Sequence, residues 1–270
     1  MSDMKRGPRA ALAAMALLPL AAGVLPLMAA GADDFRWQGR LAAGQAIEVK
    51  GVNGRIEARP ASGPEVEVTA VKRGRRSDPA SVEIKVVEHG GGVTICAVYP
   101  RPDGERPNEC APGQRGRTNT RDNDVAVDFT VRVPSGADFV GRTVNGDVVA
   151  RGLPADAEAY AVNGSVEVEA GGHTLAGTVN GSIRARMGRA DWTGEADFKT
   201  VNGSITLELP ADAAADVVAR TVNGAIDTDF PLAVSGRVSR RRLSGTVGGG
   251  GRRLSLETVN GAIHLQKAPE

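Results

Sequence analysis

From residue 34 onward the chain alternates apolar and polar residues with a period of two. Ile47 and Val49, Val66 and Val68, Val82, Ile84 and Val86, Val93 and Ile95, and the odd positions from Val125 to Val133 each place apolar side chains on one face of an extended segment. The pattern predicts an all-β fold. No amphipathic helix stands out after residue 33, and Ala211 to Asp216 reads as a loop or a single helical turn between strands.

The second half carries a longer period. Val-Asn-Gly occurs seven times, with Asn at 53, 145, 163, 180, 202, 223 and 260, and each copy is followed by one residue and then Val or Ile. From Asn145 the steps are 18, 17, 22, 21 and 37 residues. Ser244-Gly245-Thr246-Val247 resembles a worn copy and divides the longest step into 21 and 16. A period of 16 to 22 residues suits a stacked β-repeat, in which no unit buries its apolar face alone.

Asn-Gly between apolar residues is also a strong signal for a two-residue hairpin. In Thr221 to Ile226 such a turn would set Val222 and Ile226 on opposite sides. One extended or gently bent run instead puts Val222, Gly224, Ile226, Thr228 and Phe230 on one face and Asn223, Asp227 and Asp229 on the other. Val179 to Ala185 and Val201 to Leu209 follow the same parity. A β-solenoid-like stack is therefore expected over residues 136–270, one repeat per rung with Val and Ile inward, continuous with an irregular β region over 33–135. Its structural ladder would consist of Asn53, Asn145, Asn163, Asn180, Asn202, Asn223 and Asn260 with Gly146, Gly164, Gly181, Gly203, Gly224 and Gly261. The Asn amides would bond to those above and below, and Gly would serve a positive φ or a close approach between rungs. A row of Asn side chains holding a ligand or cation is the alternative use of the same residues.

Stacking also predicts what the outward positions meet. Six residues after each Asn stand Arg151, Glu169, Arg186, Glu208, Asp229 and Gln266, and four after it Val149, Glu167, Arg184, Thr206, Asp227 and His264. In register, Glu167 meets Arg184, and Glu169 lies between Arg151 and Arg186. Glu208 beside Asp229 breaks the alternation and is read as solvated repulsion, with a bound cation as the alternative.

Composition narrows the function. Of 270 residues, 33 are Lys or Arg, 32 are Asp or Glu, and 3% are aromatic, which argues against nucleic acid as a partner and against a ring-lined sugar cleft. Residues 1–32 read as a secretory signal peptide: Lys5, Arg6 and Arg9, then an Ala- and Leu-rich run from Ala10 to Ala29, then Ala30-Gly31-Ala32. An uncleaved anchor is the alternative, which Pro19, Gly23 and Pro26 weaken. Losing that segment removes three cations and Asp3, taking the net charge from +1 to −1. A periplasmic, secreted or cell-surface protein is expected, with no integral membrane segment after cleavage. Cys96 and Cys110, 14 positions apart with no CxxC and no His at metal spacing, are expected to form a structural disulfide. Such a bridge is worth about 3 kcal/mol in the chain-entropy model and would pin the proline-rich stretch from Pro100 to Asp124.

A search for chemistry returns little. His89, His173 and His264 are isolated, and no HExxH, GxSxG, P-loop or zinc pattern occurs. Gly248 to Gly251 before Arg252 and Arg253 matches no phosphate-binding motif and reads as a rung connection. Arg237, Arg240, Arg241 and Arg242 form a basic run that reads as a solvated face, with contact to an acidic polymer or a lipid headgroup as the alternative. No catalytic residue, cofactor or metal site is expected.

The motifs resemble those of the bacterial domain of unknown function 4097 (DUF4097), an adhesin-like or toastrack-type β-repeat family. The resemblance rests on Asn53 to Ile56, on Val131 to Pro134, and on the Thr-x-Asn-Gly units beginning at Thr143, Thr178, Thr200, Thr221 and Thr258, with Ala161 replacing Thr in one unit. It covers nearly all of residues 34 to 266 and is more specific for fold than for activity. It implies a non-enzymatic adhesin-like or envelope structural module whose partner is an envelope protein or a surface polymer. An accessory role in envelope-stress signalling is a second reading, weakened because this chain lacks the fused membrane segments of those members. A β-solenoid polysaccharide-active enzyme is a third, and it would need two or three carboxylates converging with a cation in a groove.

Overall fold

At each Val-Asn-Gly the chain crosses from one β-sheet to a second sheet that faces it. The computed structural model describes residues 34–101, 106–117, 120–192, 194–234 and 239–269; the expected signal peptide lies outside them. In spatial order the first sheet runs β1 (Asp34–Gly39), β4 (Val66–Arg73), β7 (Ala126–Val133), β3 (Ile56–Pro60), β9 (Val148–Leu153), β11 (Val166–Ala170), β13 (Ile183–Met187), β15 (Ile205–Leu209), β21 (Ile263–Lys267) and β17 (Ile226–Thr228). The second runs β18 (Leu232–Val234), β19 (Arg242–Val247), β16 (Ala215–Asn223), β20 (Arg253–Asn260), β14 (Glu195–Lys199), β12 (Thr174–Gly177), β10 (Ala157–Tyr160), β8 (Asp138–Arg142), β2 (Ala46–Lys50), β6 (Gly92–Val98) and β5 (Glu83–His89). Pairing is parallel from β7 to β17 in the first sheet and from β16 to β6 in the second. In this β-solenoid-like stack antiparallel strands close both ends of the second sheet and the β1 end of the first. Residues 211–214 form a turn and loop leading into β16.

The rungs do not all follow chain order. Asn53, Asn145, Asn163, Asn180 and Asn202 bridge in sequence, but Asn202 then pairs with Asn260, and Asn223 lies beyond it. The last repeat is inserted between the two before it. Ser244 to Val247, read above as a worn rung, belongs to β19, an antiparallel return along β16 that caps the end. The 37-residue step therefore holds a cap and not a second rung.

The corner differs from the gently bent strand expected. Thr143, Thr178, Thr200, Thr221 and Thr258 are 5–7% exposed, whereas Val162, Val179, Val201 and Val259 are 38–39% exposed and Val222 56%. Only the first valine of the series, Val52, is buried. The chain turns between the motif valine and the following Ile or Val, so the parity resets and the valine points out. The inward threonine is satisfied locally: Thr178 Oγ1 donates to the Gly164 carbonyl at 2.8 Å, and Thr200, Thr258 and Thr221 donate to Gly181, Gly203 and Gly261 at 2.9 Å. Ala161 offers no hydroxyl to Gly146.

The glycine is dictated by space. A Cβ on Gly164, Gly181, Gly203, Gly261 or Gly224 would overlap the glycine carbonyl of the neighbouring rung. A positive φ is not shared along the series, since it occurs at Gly146 and Gly261 but not at Gly164, Gly181 or Gly203. Between them the Asn side chains run as a chain of amides: Asn145, Asn163, Asn180, Asn202, Asn260 and Asn223 each donate from Nδ2 to Oδ1 of the preceding one at 2.7–2.9 Å. These amides lie in solvent.

Two stability predictions follow from this contrast. Asn180→Ala removes two solvent-exposed hydrogen bonds and is expected to cost about 1 kcal/mol, whereas Gly181→Ala drives a methyl into a backbone carbonyl and should cost about 1–3 kcal/mol or more. Chemical denaturation checks the order, and equal losses would contradict the corner geometry. Ala161→Thr restores the missing donor to Gly146 and should add about 1 kcal/mol, read as a thermal midpoint about 2–4 °C higher.

Candidate functional site

The exposed valines form a ridge along the corner, and near the capped end that ridge sinks into a cleft of about 610 Å³. Val201, Val259 and Val222 line its floor, Thr178, Thr200, Thr258 and Thr221 lie between them, and Lys199, Glu257, Arg220, Arg241 and Arg242 form its walls. The threonine hydroxyls are already committed to glycine carbonyls, so the floor presents methyl groups. The backbone beside them is bonded from rung to rung: the Asn202 and Asn260 N–H groups donate to the Val179 and Val201 carbonyls, and the Gly203 and Gly261 N–H groups to Asn260 and Asn223.

Strand register sets the charges. One outward row across the second sheet reads Lys50, Arg142, Tyr160, Gly177, Lys199, Glu257, Arg220 and Arg242. Arg142 stacks 4.2 Å from the Tyr160 ring centroid, and burial together with Glu158 pushes the Tyr160 phenol up to about 12. Lys199 is held by Asp197 at 2.8 Å, which raises its pKa, and Glu257 lies 3.6 Å from Arg220. Like charges meet twice in this row: Lys50 lies opposite Arg142, and Arg220 sits directly opposite Arg242. Arg240, Arg241 and Arg242 are exposed and have no ion-pair partner among the described residues. Arg237, grouped with them from the sequence, lies outside the described residues.

The first sheet spends its charges internally. Glu167 stands opposite Arg184 and Glu169 opposite Arg186, with Arg186 at 3.8 Å from Glu169 and 2.7 Å from Glu208. A register shift after Val168 diverts Arg151 from Glu169 to Glu167, which it grips through two bonds of 2.5 Å and whose carboxyl it holds low. The expected contact of Glu208 with Asp229 does not form, because β21 intervenes and places Gln266 opposite Glu208. Among the described residues no three His, Cys, Asp or Glu side chains gather at metal-binding distance.

Other concavities are chemically quieter. A cavity of about 1030 Å³ beside Lys72, Arg73, Arg75 and Arg76 has its arginines partly neutralised, Arg73 by Asp128 and Arg76 by Asp124. The Ser77 and Arg76 N–H groups hold the Asp124 carboxyl at about 2. A pocket of about 150 Å³ gathers Asp156, His173, Arg189, Asp191 and Trp192, but Arg189 and Asp191 bind each other at 2.7–2.8 Å and Asp156 accepts the His173 N–H. Nearby, burial raises the Asp138 carboxyl. His89 meets Thr94, and His264 meets Asp227 at 3.4 Å. Gly248 to Gly251 form the turn between β19 and β20, and Gly251 N–H donates to Asp216.

One cluster gave no sequence signal. Glu48 and Lys50 occupy the outward parity of β2, yet both are buried because the loop carrying Cys110 folds over them. Lys50 Nζ donates to the carbonyls of Ala111, Gly113 and Arg115, and Glu48 accepts from Thr94, Gly113 N–H and Arg142. Burial lowers the Lys50 pKa while Glu48 opposes the shift. The Cys96–Cys110 disulfide fastens the same loop. Cys96→Ser/Cys110→Ser is expected to cost about 3 kcal/mol. It should also speed proteolysis within residues 106–117 while amides of the central rungs stay protected from exchange. Simultaneous loss of protection in loop and rungs would show that the loop belongs to the stack's cooperative unit.

No protein-family model matches the chain, and no curated protein matches it. Among solved structures it is similar to a candidate cell adhesion protein from Clostridium sporogenes, at 10% identity and a TM-score of 0.46, covering 87% of this chain and 100% of that one. It is also similar to a candidate adhesin from Bacteroides fragilis, at 9% identity and a TM-score of 0.37, covering 87% of this chain and 97% of that one.

Proposed function

We propose that this chain is an exported, non-catalytic β-repeat module of the cell envelope, adhesin-like in presenting a long corner to a partner, and that it belongs with the DUF4097 proteins its motifs resemble. The observation that carries the reading is how the surface polar groups are used. The Asn amides bond from rung to rung, several carboxylates and arginines pair across adjacent rungs, and at the apolar cleft beside Arg240–Arg242 exposed methyl groups coincide with arginines that have no ion-pair partner among the described residues. That combination suits recognition. Catalysis on a polysaccharide would need convergent carboxylates in a groove of substrate size, whereas the pocket holding Asp156 and Asp191 measures about 150 Å³ against the ~300–1,000 Å³ of ordinary ligand sites.

The disulfide agrees with an oxidising compartment. Fractionation of the host with thiol trapping tests the location: Cys96 and Cys110 are expected to be oxidised and recovered with the envelope or medium. A cytosolic protein with both thiols reduced would overturn the reading. Incubation of the purified protein with envelope polysaccharides should leave their size distribution unchanged, and depolymerisation would replace this reading with the enzymatic one.

A further inference from the structure

We propose that the cleft beside Arg240–Arg242 binds one acyl chain of an anionic phospholipid, with the phosphate on the arginines and the chain laid along the valine ridge. The proposal deepens the envelope reading and rests on it for where the lipid is met.

The cleft has the polarity of an amphiphile. At one end Arg241 and Arg242 rise from the strand that caps the stack, with Arg240 beside them, all three exposed and without an ion-pair partner among the described residues. Guanidinium forks match phosphate oxygens in geometry and charge. From that end the floor runs back through Val222, Val259 and Val201, and the ridge continues through Val179 and Val162. Five valines on successive parallel strands spaced ~4.8 Å apart make a track of ~19 Å. One leaflet's share of a ~30 Å hydrocarbon core is ~15 Å, so a single acyl chain fits the track. The cleft volume, about 610 Å³, falls within the range of small-ligand sites.

The floor also selects against the other occupants of such a groove. A peptide added as a strand needs unpaired backbone groups, and here the N–H groups of Asn202, Gly203, Asn260 and Gly261 are bonded from rung to rung. A sugar laid on the floor would need polar groups there too, and the four threonine hydroxyls between the valines are spent on glycine carbonyls, which leaves polar side chains to the walls alone. Methylene groups ask for neither.

Native mass spectrometry of the purified protein tests this with dispersed lysophosphatidylglycerol, lysophosphatidylcholine and dodecyl maltoside. A 1:1 adduct with lysophosphatidylglycerol is expected, at least tenfold stronger than with lysophosphatidylcholine and absent with the maltoside. Arg241→Glu/Arg242→Glu should weaken the adduct at least tenfold, and so should Val201→Asp/Val259→Asp, a pair of exposed positions whose replacement leaves the core untouched. Arg75→Glu, in the larger basic cavity, should leave it unchanged. No adduct, equal adducts with the zwitterionic lipid, an adduct indifferent to the arginines, or a protein dimer abolished by the valine variant would each overturn the proposal. None of these results bears on thiol state or location, so the envelope reading stands or falls separately.

Discussion

At the corner each rung packs against the next through a glycine carbonyl. The Gly164 oxygen accepts the Thr178 hydroxyl and lies so close to Gly181 that a Cβ there would overlap it; Gly181 stands in the same relation to Thr200 and Gly203, and Gly203 to Thr258 and Gly261. The contact sets the distance between rungs at the corner, and no residue with a side chain fits. With the spacing fixed at that point, the Asn amides fall within 2.7–2.9 Å of one another, and the strands leaving the corner are held in register before their side chains meet. The ion pairs on the outer face of the first sheet follow from this register. Exposed pairs of that kind contribute about 0–1 kcal/mol each, too little to impose it.

Much of this was legible in the sequence. The alternating pattern announces strands, the seven copies of Val-Asn-Gly announce a stack, and the spacing of Cys96 and Cys110 announces the bridge. The valines were not legible, because a period of two predicts facing only while the backbone stays extended. Between Val201 and Ile205 it turns, so a residue with every compositional mark of the core ends in solvent. Glu48 and Lys50 fail in the opposite sense. Their parity correctly puts them outside the sheet, but burial there depends on a loop more than 60 residues away in sequence that no local pattern links to them. The candidate site inherits both difficulties: its arginines stood out as a basic run, while its floor was assigned to the interior.

The ends of the stack show how a repeat with open edges stays a discrete object. Parallel strands would accept further rungs indefinitely; antiparallel strands break the repeat at both ends of the second sheet and at the β1 end of the first, while the other end of the first sheet stops at the short parallel strand β17. At the C-terminal end the edge strands β17 and β18 are three residues each, short templates for pairing with another chain. At the cap β19 returns antiparallel along β16 and sets Arg242 against Arg220, a like-charge contact the same row makes only where Lys50 meets Arg142, and there Glu48 lies between them. A like-charge juxtaposition of this kind destabilises the pair of strands slightly. Its persistence at the mouth of an apolar cleft is what a site for an anion would require.

The order of the rungs joins these observations. Had the repeats stacked as they occur in the chain, Val222 would follow Val201 and the arginine strand would lie beside them. Instead β20 and β21, made last, insert between β14–β15 and β16–β17 and place Val259 between the other two valines. The cleft floor therefore exists in full only when the final repeat has docked, and its walls then come from four separate stretches of chain around Lys199, Arg220, Arg241–Arg242 and Glu257. Pairing β20 with both β14 and β16 joins residues far apart in sequence, and such long-range pairing is slow to form. A stack selected for stability alone gains nothing from that delay. One whose last repeat completes a lined cleft beside three arginines with no ion-pair partner among the described residues gains a recognition surface that is present only in the finished molecule.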